Sequence, residues 1–238
     1  MGSITTTASV DTARVRLSGD DRSSPGATDL ATRLRRARLG LVVFLIAVVM
    51  IFVSYTSAYV VRQGLPTLDA RTGTLVHDWL PLQLPRFLLF NTLVLLISTL
   101  TMELARRQAT REATLAAKAE PSLRQPSEAQ ADGMPWLAMT AILGLTFLAG
   151  QWIVWRELAA RGFYVSTNPS SSFFYLLTGM HGIHLLGGIL ALLATGTASL
   201  LFRLAADSRR VVVDVAAWYW HFMAVLWVYL LCLLEFAR

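Results

Sequence analysis

Residues 39–61 read LGLVVFLIAVVMIFVSYTSAYVV. No charge interrupts these 23 residues, and hydroxyl groups enter only from Ser54 onward. At about 1.5 Å rise per residue, a helix of this length covers the ~30 Å hydrocarbon layer of a bilayer and satisfies its own backbone polar groups within it. A secretory leader would carry a shorter apolar core, of roughly 7–15 residues, close to the start of the chain. This tract is too long and begins too late, so it reads as a membrane span.

Working outward, four more tracts have the same character, at 87–104, 136–155, 173–202 and 211–236. The fourth is long enough to imply tilt. The expected fold class is all-α, a polytopic membrane bundle of five transmembrane helices over residues 39–238. Residues 1–38, rich in Ser, Thr, Gly, Asp and Arg and containing Pro25, are expected to form a disordered tail. The stretch 106–133, with Pro121 and Pro126, is expected to be a loop with a flexible centre. No repeat relates the two halves, which speaks against an inverted-repeat transporter.

The net charge of +6 raises the question of nucleic acid, but the basic residues sit at the ends of the apolar tracts. No basic face interleaved with aromatics is present, so no nucleic-acid partner is expected. The distribution fits the positive-inside rule instead. Of the 21 Lys and Arg residues, 15 fall in the tail, in the stretch between the second and third tracts, and between the fourth and fifth. The N-terminus is therefore expected to be cytoplasmic. Cys232, the single cysteine, can form neither an internal disulfide nor a cysteine cluster.

Polar side chains inside a span need a reason. Asn91, Thr92, Ser98 and Thr101 in the second tract and Gln151 in the third read best as hydrogen-bonding contacts between helices. The fourth tract holds FFYLLTGMHGIHLLGG at 173–188, in which His181 and His184 share a helix face with Gly182 between them. Gly179, Gly182 and Gly187 let a neighbour approach the backbone. The fifth tract opens with Asp214, placed to pair with a basic neighbour or to meet the cytoplasmic water layer. It continues as AAWYWHF at 216–222, with Tyr219, Trp220 and His221, and then Trp227. Histidine is a common haem and metal ligand, so His221 could complete a site with the pair in the fourth tract. Equally, all three could be helix-packing or lipid-contact groups.

The strings TGMHGIHLLG at 178–187 and AWYWHF at 217–222 resemble the signatures of subunit III of the haem–copper cytochrome c oxidases. Gln151 with Trp155, Asn91 with Thr92, and Phe44-Leu45 with Met50 and Phe52 also fit, so the resemblance spans all five tracts. It implies a short, five-helix form of a bacterial subunit III, without the first two helices of longer relatives. Such a subunit binds no cofactor itself; haem and copper lie in partner subunits. Its implied partners are oxidase subunits I and II, a small subunit IV in some complexes, and membrane phospholipids, in the bacterial plasma membrane. The resemblance thus turns Gly179, His181, Gly182, His184, Gly187, Tyr219, Trp220, His221 and Trp227 into a lipid-contact or helix-packing seam, with no catalytic or metal-binding residue among them. Two positions depart from the family. FLIAVVMIF at 44–52 has Val48 where the family carries a buried glutamate, and Ala224 stands where an aspartate is usual. Subunit III-like components of quinol oxidases or nitric oxide reductases, and a stand-alone b-type haem protein, are the alternative readings.

Overall fold

The computed structural model describes residues 25–68, 73–76, 79, 84–118, 134–201 and 206–236. Among them are five long helices: α1 (Pro25–Gly64), α2 (Phe87–Lys118), α3 (Met134–Ala160), α4 (Pro169–Leu201) and α5 (Ala206–Phe236). Each contains a stretch long and apolar enough to cross a membrane. Between α1 and α2, β1 (Thr67–Leu68) and β2 (Leu75–Val76) form a minimal antiparallel ladder pairing Thr67 with Val76.

Helices α2, α3, α4 and α5 close a ring in which each packs on the next, and α1 lies outside it against α4 and α5 alone. The ring interior holds large side chains with almost no exposure, including Leu95, Phe147, Phe174, Leu185, Trp220 and Trp227. Hydroxyl and amide groups are buried there too: Asn91, Ser98, Thr140, Gln151 and Thr178. The outer faces carry Leu93, Ile142, Ile183, Leu190 and Val225 in the open. Apolar outside and sparsely polar inside is the arrangement expected where hydrocarbon, not water, surrounds the bundle. The chain is a multi-pass membrane protein. Attachment of α1 is narrow, with Val48, Phe52, Thr56 and Tyr59 forming a single buried stripe while Val43, Ile46, Met50 and Val53 face away.

Two boundaries differ from the sequence expectation. Residues 25–38, expected to belong to a disordered tail, are the first turns of α1. Pro25 does not break this helix but starts it, because the amide hydrogen it lacks would have no partner in a first turn. Residues 1–24 lie outside the described residues. Likewise α2 does not stop near residue 104; it continues to Lys118, through residues 106–118, which were expected to lie in a loop. Ala105, Ala109 and Ala113 are buried at helical spacing, so this extension has a packed side of its own. The centre of that loop, residues 119–133, is also outside the described residues.

The turn from α3 to α4 is fastened at both ends. Gly162 adopts φ +87°, and the Phe163 amide donates to the Leu158 carbonyl (3.0 Å) while the Gly162 amide donates to Ala159 (3.0 Å). This paired closure needs a left-handed residue after the helix, which glycine supplies without steric cost. Asn168 then caps α4, its Oδ1 accepting from the Ser171 amide at 2.9 Å, with Pro169 in the first helical position.

Candidate functional site

The seam between α4 and α5 is built around close backbone approach. A Cβ placed on Gly188 would lie 2.8 Å from Tyr219 Cε1, so the tyrosine ring rests on bare backbone of α4. From there the Tyr219 hydroxyl donates to the His184 carbonyl at 2.7 Å, while its ring stands 6.2 Å from that of Phe44 on α1. One side chain thus ties three helices. His184 turns its Nδ1 back onto the Met180 carbonyl (2.8 Å) and faces the Phe52 ring at 5.8 Å.

Both buried tryptophans use a hydroxyl of α2 as a relay. Trp220 Nε1 donates to Ser98 Oγ (3.0 Å), which donates to the Leu95 carbonyl (2.6 Å). Trp227 Nε1 donates to Thr92 Oγ1 (2.9 Å), which donates to the Leu88 carbonyl (2.8 Å). Each hydroxyl accepts once and donates once, so the indole N–H is satisfied in the bundle interior by the protein itself. Trp220 can enter because Gly144 of α3 has no side chain; a Cβ there would be 2.7 Å from the indole.

His181 is fully enclosed. Its ring centroid lies 5.0 Å from that of Trp227 and 6.0 Å from that of Phe147, and neither ring nitrogen has a hydrogen-bond partner among the described residues. His221 is elsewhere. It points at α2, with Nε2 3.6 Å from Glu103 Oε2, in a cleft of about 240 Å³ lined also by Arg106 and Trp218. It lies six positions before Trp227 on α5, roughly 9 Å along the axis. The structure therefore does not bring His221 to the His181–His184 pair as a third ligand. Among the described residues no group of three or more His, Cys, Asp or Glu side chains converges on a point that could hold a metal ion.

The remaining nominated glycines differ in what they do. A Cβ on Gly179 would meet Trp155 at 3.7 Å and one on Gly182 would meet Leu148 at 3.8 Å, both ordinary contacts. On Gly187 a Cβ would find nothing within 4 Å, so this glycine faces open space. Gly188, its neighbour in the same string, makes the tight approach instead.

At the other end of the bundle from the α3–α4 turn, Asp214 is held by Arg38 of α1 through two hydrogen bonds, at 2.8 and 3.0 Å. Arg106 of α2 reaches the same carboxylate at 3.6 Å and makes a two-point bond to Glu103 (2.8 and 2.9 Å), which also accepts from Arg107. The Arg38 guanidinium lies 5.9 Å from the Trp218 ring centroid. Asp214 thereby connects α1 and α2, which do not pack on each other directly. Nearby, a buried ion pair joins Glu112 of α2 to Arg209 of α5. Sequence reasoning missed that pair because it placed Glu112 in a loop. The helical spacing of Ala105, Ala109, Glu112 and Ala113 is the signal that could have found it.

Val48 and Ala224, at the two positions where the resemblance led to an acid being expected, are both buried, at 2% and 4% exposure. Val48 sits one turn from Phe52 in the stripe by which α1 is attached.

These features define a class: a multi-pass helical membrane protein in which Asn91, Tyr219, Trp220 and Trp227 hydrogen-bond between helices, while Gln151 and His181 are buried without such partners among the described residues. The sequence model for cytochrome c oxidase subunit III matches residues 26–236, and the chain belongs to that family. A cytochrome c oxidase subunit 3 of Thermostichus vulcanus is 30% identical over 197 residues, covering 82% of this chain and 85% of the relative. One from Synechocystis is 29% identical over 194 residues, covering 82% and 72%. A probable cytochrome c oxidase subunit 3 of Mycobacterium tuberculosis is 35% identical over 107 residues, 43% of this chain. That alignment spans half the length of the mycobacterial relative.

Proposed function

We propose that this chain is the non-catalytic third subunit of a bacterial aerobic terminal oxidase, a cytochrome c oxidase, supporting assembly, lipid binding and stability of the oxygen-reducing, proton-pumping core. The observation that carries the reading is the family match across all five helices. Haem and copper then belong to partner subunits, and this chain docks on subunits I and II and, where the complex has one, a small subunit IV. The membrane is the bacterial plasma membrane and the N-terminus is cytoplasmic, an orientation supported by the 15 of 21 basic residues that fall on the N-terminal side of the five tracts' alternation.

Within this reading Gly179, His181, Gly182, His184, Gly187, Tyr219, Trp220, His221 and Trp227 act through packing and lipid contact. Asp214 acts as an ionic node. The buried valine and alanine at 48 and 224 leave no proton-carrying acid at either position, so proton uptake is not routed through them.

A mild-detergent pull-down of the tagged full chain from its native membrane tests the proposal, with an optical spectrum taken on the eluate. A larger haem- and copper-containing chain is expected to co-purify, while this chain, separated from it, is colourless. Recovery of the chain alone with stoichiometric haem would overturn the reading in favour of a b-type haem protein.

A further inference from the structure

In the middle of the ring, polar side chains answer one another. Asn91 donates to the Phe147 carbonyl (3.0 Å) and Trp227 to Thr92 (2.9 Å). Trp155 donates to Thr178 (3.1 Å), which donates to the Phe174 carbonyl (2.7 Å). Gln151 of α3 and His181 of α4 stand apart from this pattern. They are 3% and 0% exposed, and among the described residues no hydrogen-bond partner reaches Oε1 or Nε2 of Gln151 or either ring nitrogen of His181. The two share one level of the bundle. On α3, Phe147 and Trp155 stand about one turn to either side of Gln151. They meet α4 at His181, with ring centroids 6.0 Å apart, and at Thr178. Gln151 therefore lies beside the short stretch of α4 that those two contacts bracket. Within that stretch Gly179 adds no side chain, and a Cβ on it would meet nothing nearer than Trp155 at 3.7 Å, which leaves space of methyl size.

A buried polar atom without a partner is costly enough to be rare. Here four lie at one level, in a carboxamide that both donates and accepts and in a neutral imidazole that does the same. They call for a small molecule able to do both. We propose that Gln151 and His181 together hold an internal water, which accepts from one side chain, donates to the other and so joins α3 to α4 at mid-depth. Buried waters take roughly two to four polar partners of this kind, in a space about the size of the water itself. The rings of Phe147 and Trp227 beside His181 wall the place against anything larger. The donor set does not suit a metal ion, because one amide oxygen and one imidazole face it and no group of three His, Cys, Asp or Glu side chains converges among the described residues. This goes beyond the packing role given above, since it makes His181 a ligand-holding group, and it does not depend on which larger subunits accompany the chain.

The test is X-ray radiolytic footprinting of the full chain in detergent, with the subunits that accompany it, read by mass spectrometry. A water held inside the protein yields hydroxyl radical in place and oxidises the side chains that touch it, whereas radicals formed in bulk do not reach a dry interior. After correction for intrinsic reactivity, His181 is expected to be oxidised at a rate within several-fold of that of the exposed Tyr164. Phe174 and Trp220, equally buried, should be many-fold slower. Gln151→Met keeps the length of the side chain and removes both polar atoms, and it should cut the rate at His181 several-fold with Tyr164 unchanged. A variant that failed to fold would show faster oxidation of Phe174, the opposite direction, and the wild-type contrast would then decide alone. A wild-type His181 as slow as Phe174 would overturn the proposal, as would an unchanged His181 rate in a folded Gln151→Met variant.

Discussion

Gly188 and Gly187 are adjacent in one string, yet substitution should separate them sharply. A methyl at Gly188 would meet the Tyr219 ring at 2.8 Å, and the ring is pinned by its hydroxyl on the His184 carbonyl. Overpacking of this kind costs about 1–3 kcal/mol. Gly188→Ala is therefore expected to lower the thermal unfolding midpoint in detergent by several degrees, while Gly187→Ala leaves it unchanged. The two tryptophan relays offer a second test at this scale. In the cycle Trp227→Phe with Thr92→Val, the coupling is expected near about 0.6 kcal/mol, the typical worth of a hydrogen bond inside a membrane bundle. A coupling of zero would mean that the indole N–H has no preference for that hydroxyl. The importance of these polar groups was legible in the sequence, because hydroxyls and amides inside apolar tracts stand out. Their pairing was not. Ser98 and Trp220 meet across 122 positions through the depth at which two helices happen to align, and no local pattern encodes that alignment.

Helix by helix, the central apolar stretches were plain and the ends were not. Hydropathy marks the segment that lies in hydrocarbon, but a helix can run on into water wherever its residues and neighbours permit. The extension 105–118 is Ala-rich, with Arg106 and Arg107 bonded back to Glu103 at i+3 and i+4, all of which favour helix. Charge and the prolines beyond it drew the eye to a loop instead. The Glu112–Arg209 pair allows the extension to be tested. Removing one member strands a buried charge, for which about 3–5 kcal/mol is typical, whereas replacing both by apolar groups is often neutral. Glu112→Leu alone should sharply reduce the thermal midpoint, and Glu112→Leu with Arg209→Leu should restore most of it. If both variants lose equally, the pair does not hold α2 to α5.

For the molecule as a whole, Asp214 is the point where α1 and α2 are joined through α5. Replacing Arg38 by Ala should loosen the start of α1, which is otherwise held to α5 by the Arg33–Ser208 hydrogen bond (3.2 Å) and, further along, by one narrow buried stripe. Trypsin is expected to cut wild-type protein slowly at Arg33, Arg35 and Arg36 and the variant several-fold faster, with other sites unaffected. Asp214 should tolerate this loss, because Arg106 remains 3.6 Å away. The reading of the whole molecule from its sequence succeeded on class and helix number. It could not foresee that His221 would face Glu103 while His181 is enclosed by Trp227 and Phe147, because spacing along a chain says nothing about which histidines share a level in the bundle.

The attachment of α1 to α4 and α5 alone also sets a sequence of events during synthesis. α1 has no helix of the described chain to pack on until synthesis has reached Pro169 and beyond. The intervening residues from Gly64 take roughly 5–20 s at common translation rates. Through that interval the stripe by which α1 docks has none of its partners from α4 and α5. An acid at position 48 would have had to wait there unpartnered, at a cost of a few kcal/mol. With valine in that place, the waiting helix carries no acid at that depth.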